Sequence, residues 1–125
     1  GLFALRTSIY LAAVGPQGLW EVAELSTRKA HYAAEQIASH ERFEIVGGQP
    51  FFKEFVVRDR RGQVDQLLAD ANQAGLLGGV PLGTWYPELA DCFLVTVTEK
   101  RTKDEIDALT SCLTGTTSNL ETIHA

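Results

Sequence analysis

Apolar residues recur every three or four positions from the start of the chain to about residue 40. The first set predicts a helix that ends at Val14: Leu2, Leu5, Ile9, Ala12 and Ala13. Gly15 and Pro16 interrupt this helix, and Pro16 suits the first turn of a second helix that runs to about His40. The inward face predicted for this second helix consists mainly of small residues: Leu19, Val22, Ala23, Ser26, Ala30, Ala33, Ala34 and Ile37.

Runs of aromatic and β-branched residues predict three strands. The first two are Phe43 to Val46 and Phe51 to Arg58, and the short link between them indicates antiparallel pairing. The polar residues Asp59-Arg60-Arg61-Gly62 that follow predict a turn. The third strand is Phe93 to Val97. The glycine-rich stretch 75–83, which precedes it, leaves room for a fourth.

Two further helices are predicted in the C-terminal half. One runs from Gln63 to Ala74 and ends at Gly75, a residue that suits a helix C-terminus. The other begins with a capping box between Thr102 and Glu105, in which each side chain accepts a hydrogen bond from the other residue's amide. Their inward apolar positions are Val64, Leu67, Leu68, Ala71, Ile106, Leu109 and Leu113. Residues 114–125 are rich in threonine and serine and are expected to fray.

The order of these elements predicts an α+β fold. Helices and strands are mixed along the chain, and the two linked strands pair as antiparallel neighbours. We therefore expect a two-layer sandwich in which a small, mainly antiparallel sheet of three or four strands carries helices on one face.

Composition and charge limit the classes of function. A chain of 125 residues that is 45% hydrophobic and 22% charged can bury one core, and it lacks the composition of a disordered protein. The net charge of −5, with no clustering of basic residues, argues against a nucleic-acid or anionic-membrane partner. The apolar runs are too short to span a bilayer. Two cysteines, Cys92 and Cys112, fit a reducing cytoplasm better than a disulfide scaffold.

No pattern of residues forms a complete active site. The histidines lack partners at metal-ligand or catalytic-triad spacing, and the cysteines belong to no paired motif. Every lysine has charged or polar neighbours, so none suits a Schiff base, which needs a desolvated amine. We therefore predict no catalytic, cofactor-binding or metal-binding residue. Structural roles are expected for His31, His40 and His124, and none of Lys29, Lys53, Lys100 and Lys103 is expected to form a Schiff base.

Two segments offer candidates for the edge of a cleft. Gly78 and Gly79 lie in a loop that could cradle a phosphate, but it lacks the Lys-Ser/Thr ending of a P-loop, so a tight structural loop is favoured. Lys100 and Arg101 precede the last helix, where they either form a solvated helix cap or contact an anion or carboxylate. Both interpretations of this second segment stay open.

Several motifs together resemble one known family. They are Leu5-Arg6-Thr7-Ser8-Ile9-Tyr10-Leu11, Gly15-Pro16-Gln17-Gly18-Leu19, Lys29-Ala30-His31-Tyr32, Pro50-Phe51-Phe52-Lys53-Glu54-Phe55, Gly78-Gly79-Val80-Pro81-Leu82-Gly83, Tyr86-Pro87-Glu88-Leu89 and Val97-Thr98-Glu99-Lys100-Arg101-Thr102. As a set, over about residues 2 to 113, they resemble the C-terminal region of the glycine decarboxylase P-protein, in its alpha-type subunit 1.

The resemblance implies a fold and an activity. The P-protein is the pyridoxal-phosphate (PLP) component of the glycine cleavage system, an oxidoreductase that decarboxylates glycine and passes the aminomethyl group to the lipoylated H-protein. Its fold resembles aspartate-aminotransferase-type PLP enzymes, with a large domain and a small C-terminal domain. Residues 15–113 would be the small domain, residues 1–14 a helix leading in from a missing large domain, and residues 114–125 a frayed tail.

The resemblance also assigns the Schiff-base lysine to the partner, beta-type subunit. No PLP is therefore expected on this chain, which we interpret as a cytoplasmic piece of a longer protein, inactive alone. Without its large domain, the first helix is expected to expose Leu2, Phe3, Leu5 and Ile9, and the chain should then self-associate through this helix. The alternative is a stand-alone interaction or regulatory module that kept the fold without the enzyme.

Overall fold

The computed structural model describes residues 1–48 and 50–115. The elements along the chain are helix α1 (Leu2–Ala38), strands β1 (Phe43–Val46) and β2 (Glu54–Asp59), helix α2 (Val64–Gln73), strand β3 (Val80–Pro81), a 3-10 helix (Pro87–Leu89), strand β4 (Cys92–Thr96) and helix α3 (Lys103–Thr114). This confirms the predicted α+β fold. Of the tail expected to fray, Thr114 ends α3 and Gly115 caps it, and residues 116–125 lie outside the described residues.

Helix α1 is kinked at Gly15, whose backbone has φ 64° and ψ 179°. Residues with a Cβ rarely adopt this conformation, and the Pro16 that follows has no amide hydrogen to donate to the preceding turn. The sequence predicted two helices that meet at this position. The break is there, but helical turns continue on both sides of it. We call residues 2–14 the arm and residues 16–38 the docked segment of α1.

The sheet has the strand order β1-β2-β4-β3, and all three pairings are antiparallel. Val57 at its centre pairs with Ile45 on one side and with Phe93 on the other. Strand β2 begins at Glu54, three residues later than the predicted start at Phe51. Phe51 lies outside the ladder because its ring packs on the helix layer instead.

Strand side chains alternate between two unlike faces. On β2, Phe55 and Val57 are buried towards the helices, whereas Arg58 points to the other face and forms an ion pair with Asp91 (Nε to Oδ2, 3.0 Å). All three helices contact the inner face or one another, and together they enclose the core. The core comprises Ala30, Ala33, Ala34, Ile37, Phe43, Phe55, Val57, Val64, Leu67, Phe93, Val95, Val97, Ile106 and Leu113.

The inward face predicted for the docked segment is confirmed from Ser26 to Ile37 and wrong at Leu19. Leu19 is 46% exposed, because the buried positions of α1 begin only at Ser26. Helical periodicity includes Leu19, but at this position the helix extends beyond the elements that cover its later residues.

Asp59, predicted to lie in a polar turn, is fully buried at the end of β2. Its carboxylate accepts two hydrogen bonds from Arg42, of 2.7 and 2.8 Å, and further bonds from the amides of Arg61 and Gln63. Burial alone raises the pKa of Asp59, but the hydrogen bonds from Arg42 and the two amides outweigh it and lower the pKa to about 2. The pair ties the chain that follows α1 to the end of β2.

The ends of the two later helices follow from their sequence. At α3, the Thr102 hydroxyl accepts from the Glu105 amide at 3.2 Å, and the Glu105 carboxylate accepts from the Thr102 amide at 2.7 Å, so the capping box is confirmed. Helix α2 ends at Gln73, and Gly75 follows at φ 79°. This left-handed conformation is one that glycine adopts without strain.

Candidate functional site

Two family-motif segments and the first turns of α3 meet on one side of the docked segment. His31 donates from Nε2 to the Phe51 carbonyl at 3.0 Å, and the two rings stack with centroids 4.1 Å apart. The neighbouring Tyr32 donates its hydroxyl to the Asp107 carboxylate of α3 at 2.6 Å. α1 therefore holds the loop before β2 and the start of α3 through adjacent side chains.

A turn of residues 97–102 joins β4 to α3 and is fastened to α1. The hydroxyl of the buried Ser26 accepts from the Glu99 amide at 3.1 Å, and Lys29 donates from Nζ to the Glu99 carbonyl. Lys100 and Arg101 occupy the tip of this turn and are exposed. These two hydrogen bonds hold the turn against α1, while Lys100 and Arg101 remain exposed to solvent.

Arg101 and Lys100 differ in what surrounds them. The Arg101 guanidinium lies 3.4 Å from the Glu105 carboxylate, one helical turn further along the chain, and both side chains are largely exposed. This exposed contact is what the interpretation as a solvated helix cap predicts for Arg101. Lys100 stays a candidate for a cleft edge.

Gly78 and Gly79 lie where the chain between α2 and β3 approaches its neighbours closely. A Cβ on Gly79, at φ 152°, would stand 2.6 Å from the Leu94 carbonyl oxygen of β4. A Cβ on Gly78 would stand 3.0 Å from Leu68 and 3.3 Å from Ala71 of α2. Close packing therefore accounts for both glycines, which favours the tight structural loop over the phosphate cradle.

The four predicted cleft-edge residues fall into two separate places. Gly78 and Gly79 line a surface cavity of about 330 Å³ beside α2, together with residues such as Asp65, Asn72 and Pro81. Neither Lys100 nor Arg101 lines that cavity. The structure does not gather the four residues into one site, and their role at a cleft stays a prediction.

A second cavity, also of about 330 Å³, opens between the docked segment and α3. Its lining residues are Leu25, Arg28, Lys29, Tyr32, Lys103 and Ile106. The sequence reasoning missed this site, although a signal was present: Leu25, Lys29 and Tyr32 recur at spacings of four and three and so share one helix face. That face could be found from the spacing, but not its position against α3.

Lys103 and Asp107 order one wall of this second cavity. Lys103 donates from Nζ to Asp107, and its ammonium group lies 5.2 Å from the centre of the Tyr32 ring. The hydrogen bond to Asp107, with help from Tyr32, raises the pKa of Lys103 above its usual value. The same contacts lower the pKa of Asp107. Lys103 is therefore firmly cationic.

The chain's four lysines do not fit a Schiff base. Lys29 donates to a backbone carbonyl and Lys103 to a carboxylate, while Lys100 is exposed. Lys53 is half-buried with its ammonium group 5.9 Å from the centre of the Phe52 ring. A Schiff-base lysine needs a desolvated pocket, and none of these four side chains is buried.

The two cysteines and the described histidines have packing roles. Burial first, and then the neighbouring Asp91, raise the pKa of the Cys92 thiol to about 11, and burial raises the pKa of Cys112. Both thiols therefore stay protonated at neutral pH and are poor nucleophiles. The His40 ring accepts from the Arg42 amide through Nδ1 at 3.2 Å, whereas His124 lies outside the described residues.

Residues 1–48 and 50–115 hold neither a metal-binding cluster nor a membrane-spanning helix. These residues contain no group of three or more His, Cys, Asp or Glu side chains that could hold a metal ion. None of the helices formed by them combines the length and the apolar character needed to cross a membrane.

Comparison with known proteins identifies relatives along nearly the whole described chain. The profile of the glycine cleavage system P-protein family matches residues 1–113. A probable glycine dehydrogenase (decarboxylating) subunit 1 of Anoxybacillus flavithermus is 43% identical over 112 residues, which are 86% of this chain and 24% of that protein. A protein of the same name from Geobacillus thermodenitrificans is 45% identical over 106 residues, which are 85% of this chain and 23% of that protein.

The fold of this chain is also similar to that of a solved structure. The crystal structure of glycine decarboxylase (P-protein) of the glycine cleavage system, in inhibitor-bound form, superposes with a TM-score of 0.74 at 26% identity. The match covers 87% of this chain and 24% of that one. The chain thus spans about a quarter of the length of the relatives that it matches.

Proposed function

This chain belongs to the glycine cleavage system P-protein family, and from that premise we propose that it forms the C-terminal domain of an alpha-type subunit of glycine dehydrogenase (decarboxylating). The observation that carries the proposal is the asymmetry of coverage. The relatives named glycine dehydrogenase subunit 1 match most of this chain but only about a quarter of their own length. One domain of a larger subunit has this relation to the whole.

The proposed domain division follows the kink in α1. Residues 15–113 form the small domain, since the core is built from residues of the docked segment and of the elements that follow it. The arm, residues 2–14, leads in from the large domain of the subunit. Its large apolar side chains support this role, because Phe3 is 79% exposed and Leu2, Leu5 and Ile9 are also exposed.

The proposed role in the reaction is support rather than chemistry. In the complete enzyme, PLP serves as the electron sink for glycine decarboxylation, and the aminomethyl group passes to the lipoylated H-protein. The resemblance to the family implies that the PLP lysine belongs to the beta-type partner subunit, and the environments of this chain's four lysines agree with that assignment. This chain supplies packing and cleft walls, with Lys100, Arg101 and the loop at Gly78 and Gly79 as its cleft-edge candidates.

The partners of the proposed assembly follow from this division of labour. The beta-type subunit is the direct partner, and the H-protein is met through the complete enzyme, in the cytoplasm. Within residues 1–48 and 50–115, the arm's large apolar side chains stay exposed, so without the large domain we expect the isolated chain to self-associate through them.

Lysine trapping tests the proposal. The 125-residue chain is incubated with stoichiometric PLP, reduced with borohydride, digested and analysed by mass spectrometry, and the beta-type subunit serves as the positive control. We expect a phosphopyridoxyl-lysine on the beta-type subunit and none on this chain, because Lys29 and Lys103 are hydrogen-bonded, Lys100 is exposed and Lys53 is only half-buried. A stoichiometric adduct on Lys29, Lys53, Lys100 or Lys103, or release of labelled CO₂ from glycine by this chain alone, would contradict the proposal.

A further inference from the structure

The cavity between the docked segment and α3 has a charge opposite to that of the chain around it. The chain carries a net charge of −5, yet the lining of this cavity includes Arg28, Lys29 and Lys103 and no acidic side chain. α3 begins at this cavity, with Lys103 as its first residue, so cations stand on both the docked segment and α3. An anion in the cavity is attracted from both walls.

Nearby carboxylates compensate the three cations to different extents. Lys103 has a carboxylate partner in Asp107, and Lys29, which donates to the Glu99 backbone carbonyl, also lies close enough to the Glu105 carboxylate to help lower its pKa. Arg28 lines the cavity as an exposed side chain. Arg28 is therefore the main charge that an incoming anion meets, with Lys29 beside it.

The same contacts hold the walls in place. Lys29 and Tyr32 are each fixed by a hydrogen bond to another segment, and Lys103 by one to Asp107 within α3. Side chains that are ordered before binding lose less conformational entropy when a ligand arrives. The cavity is thus largely formed in the free protein, as small-molecule sites usually are.

The remaining lining is apolar and sets the class of ligand. Leu25 and Ile106 contribute aliphatic side chains, and Tyr32 contributes a ring whose hydroxyl is already engaged by Asp107. An inorganic anion would leave this apolar surface uncovered. A ligand with both a charged group and a hydrocarbon tail would cover it and gain its burial energy.

We propose that this cavity binds a small amphipathic carboxylate. The carboxylate lies between Arg28 and Lys29, and the hydrocarbon tail contacts Leu25 and Ile106. Arginine suits this position because its planar guanidinium donates two parallel hydrogen bonds to a carboxylate. The site does not depend on the proposed enzyme role of the chain.

Amide chemical-shift titration of the 125-residue chain tests the site, with hexanoate as the probe. Hexylammonium reverses the charge while keeping the tail, and inorganic phosphate keeps an anion without a tail. We expect saturable shifts confined to residues 25–32 and 103–107 with hexanoate, and much weaker responses to the other two probes. Equal binding of hexylammonium, equal binding of phosphate, or no saturation with hexanoate would each overturn the proposal.

Matched variants locate the charged group. Arg28→Gln should weaken hexanoate binding about tenfold, since it removes a charge-assisted hydrogen bond. Arg6→Gln, the same change on the exposed arm of the same helix, should leave the affinity unchanged. Both positions are exposed, so both variants should fold, and the amide spectrum outside the cavity checks this. Equal affinities of the two variants would place the anion elsewhere and refute the site.

Discussion

The arm and the docked segment belong to one helix, but their surroundings differ completely. Every residue from 1 to 13 is exposed, whereas the docked segment buries Ser26, Ala30, Ala33, Ala34 and Ile37. Both segments repeat apolar residues at helical spacing. Helical periodicity therefore indicates an apolar face, but it does not show whether anything in the same chain covers that face.

The size of the apolar side chains distinguishes the two segments. The docked segment places small residues on its inner face, so its backbone approaches the sheet and α3 closely. The arm carries larger side chains such as Phe3, Leu5 and Ile9, which remain exposed. If the large apolar residues of the arm form a surface for another part of the protein, the arm should contribute almost nothing to the free energy of unfolding of this chain.

Truncation of one isoleucine in each segment gives the largest expected difference. Ile37→Ala removes a fully buried side chain from the core and should lower the free energy of unfolding by about 2 to 5 kcal/mol. Ile9→Ala, the same truncation on the arm, should change it by less than about 0.5 kcal/mol. Urea unfolding followed by circular dichroism measures both values.

The concentration in that measurement matters, because self-association through the arm would bury Ile9. The comparison is made where sedimentation shows a monomer. A loss of more than about 1 kcal/mol for monomeric Ile9→Ala would mean that the arm packs within this chain, and the contrast between the two segments would then be wrong.

Low pH should reduce the free energy of unfolding of the packed part of the chain, which contains Asp59 and the docked segment, and should not affect the arm. The Asp59 pKa lies at about 2 in the folded chain against an ordinary value of 3.8, so its contribution is present above pH 3.8. As the pH falls from 3.8 to about 2, the unfolded state binds the proton first, and roughly 2 kcal/mol of stability is lost. Urea unfolding at a series of pH values measures this loss.

Two substitutions isolate the Asp59 contribution from that of other carboxylates. Asp59→Asn should flatten the acid limb and lower stability at neutral pH, since it leaves Arg42 without its partner. Asp65→Asn, on the exposed side of α2, should retain the acid limb. If Asp59→Asn is too unstable to measure, the Asp59 carboxyl is titrated by NMR in the parent chain, and an ordinary midpoint would contradict the prediction.

The sequence predicts those features that depend on neighbours close along the chain. The Thr102–Glu105 capping box, the Gly75 helix end and the break at Gly15 each depend on residues within a few positions, and each is found where it was predicted. The α+β fold follows from the order of such elements. Local backbone chemistry is enough for these features.

Features that depend on distant partners were not predictable in this way. Asp59 looks like a turn residue until Arg42 is seen beside it, 17 positions earlier. Phe51 is a residue type common in strands, but its ring stacks on His31 and the residue lies outside the sheet. The cavity between α1 and α3 needs Arg28 and Lys103, which are brought together by the fold alone. In each case, tertiary contacts override local preference.

The smallest effect expected from the contrast between the two segments concerns one hydroxyl group. Ser26→Ala leaves the Glu99 amide without its partner and should cost about 1 kcal/mol. Ser8→Ala, on the exposed arm, removes only a bond to the Ala4 carbonyl of its own helix and should cost nothing or stabilise slightly, since alanine favours helix. Urea unfolding gives both values, and hydrogen exchange of the turn 97–102 should quicken only in Ser26→Ala. Equal costs for the two serines, or an unchanged exchange rate in that turn, would show that the hydroxyl of the docked segment does not hold the turn.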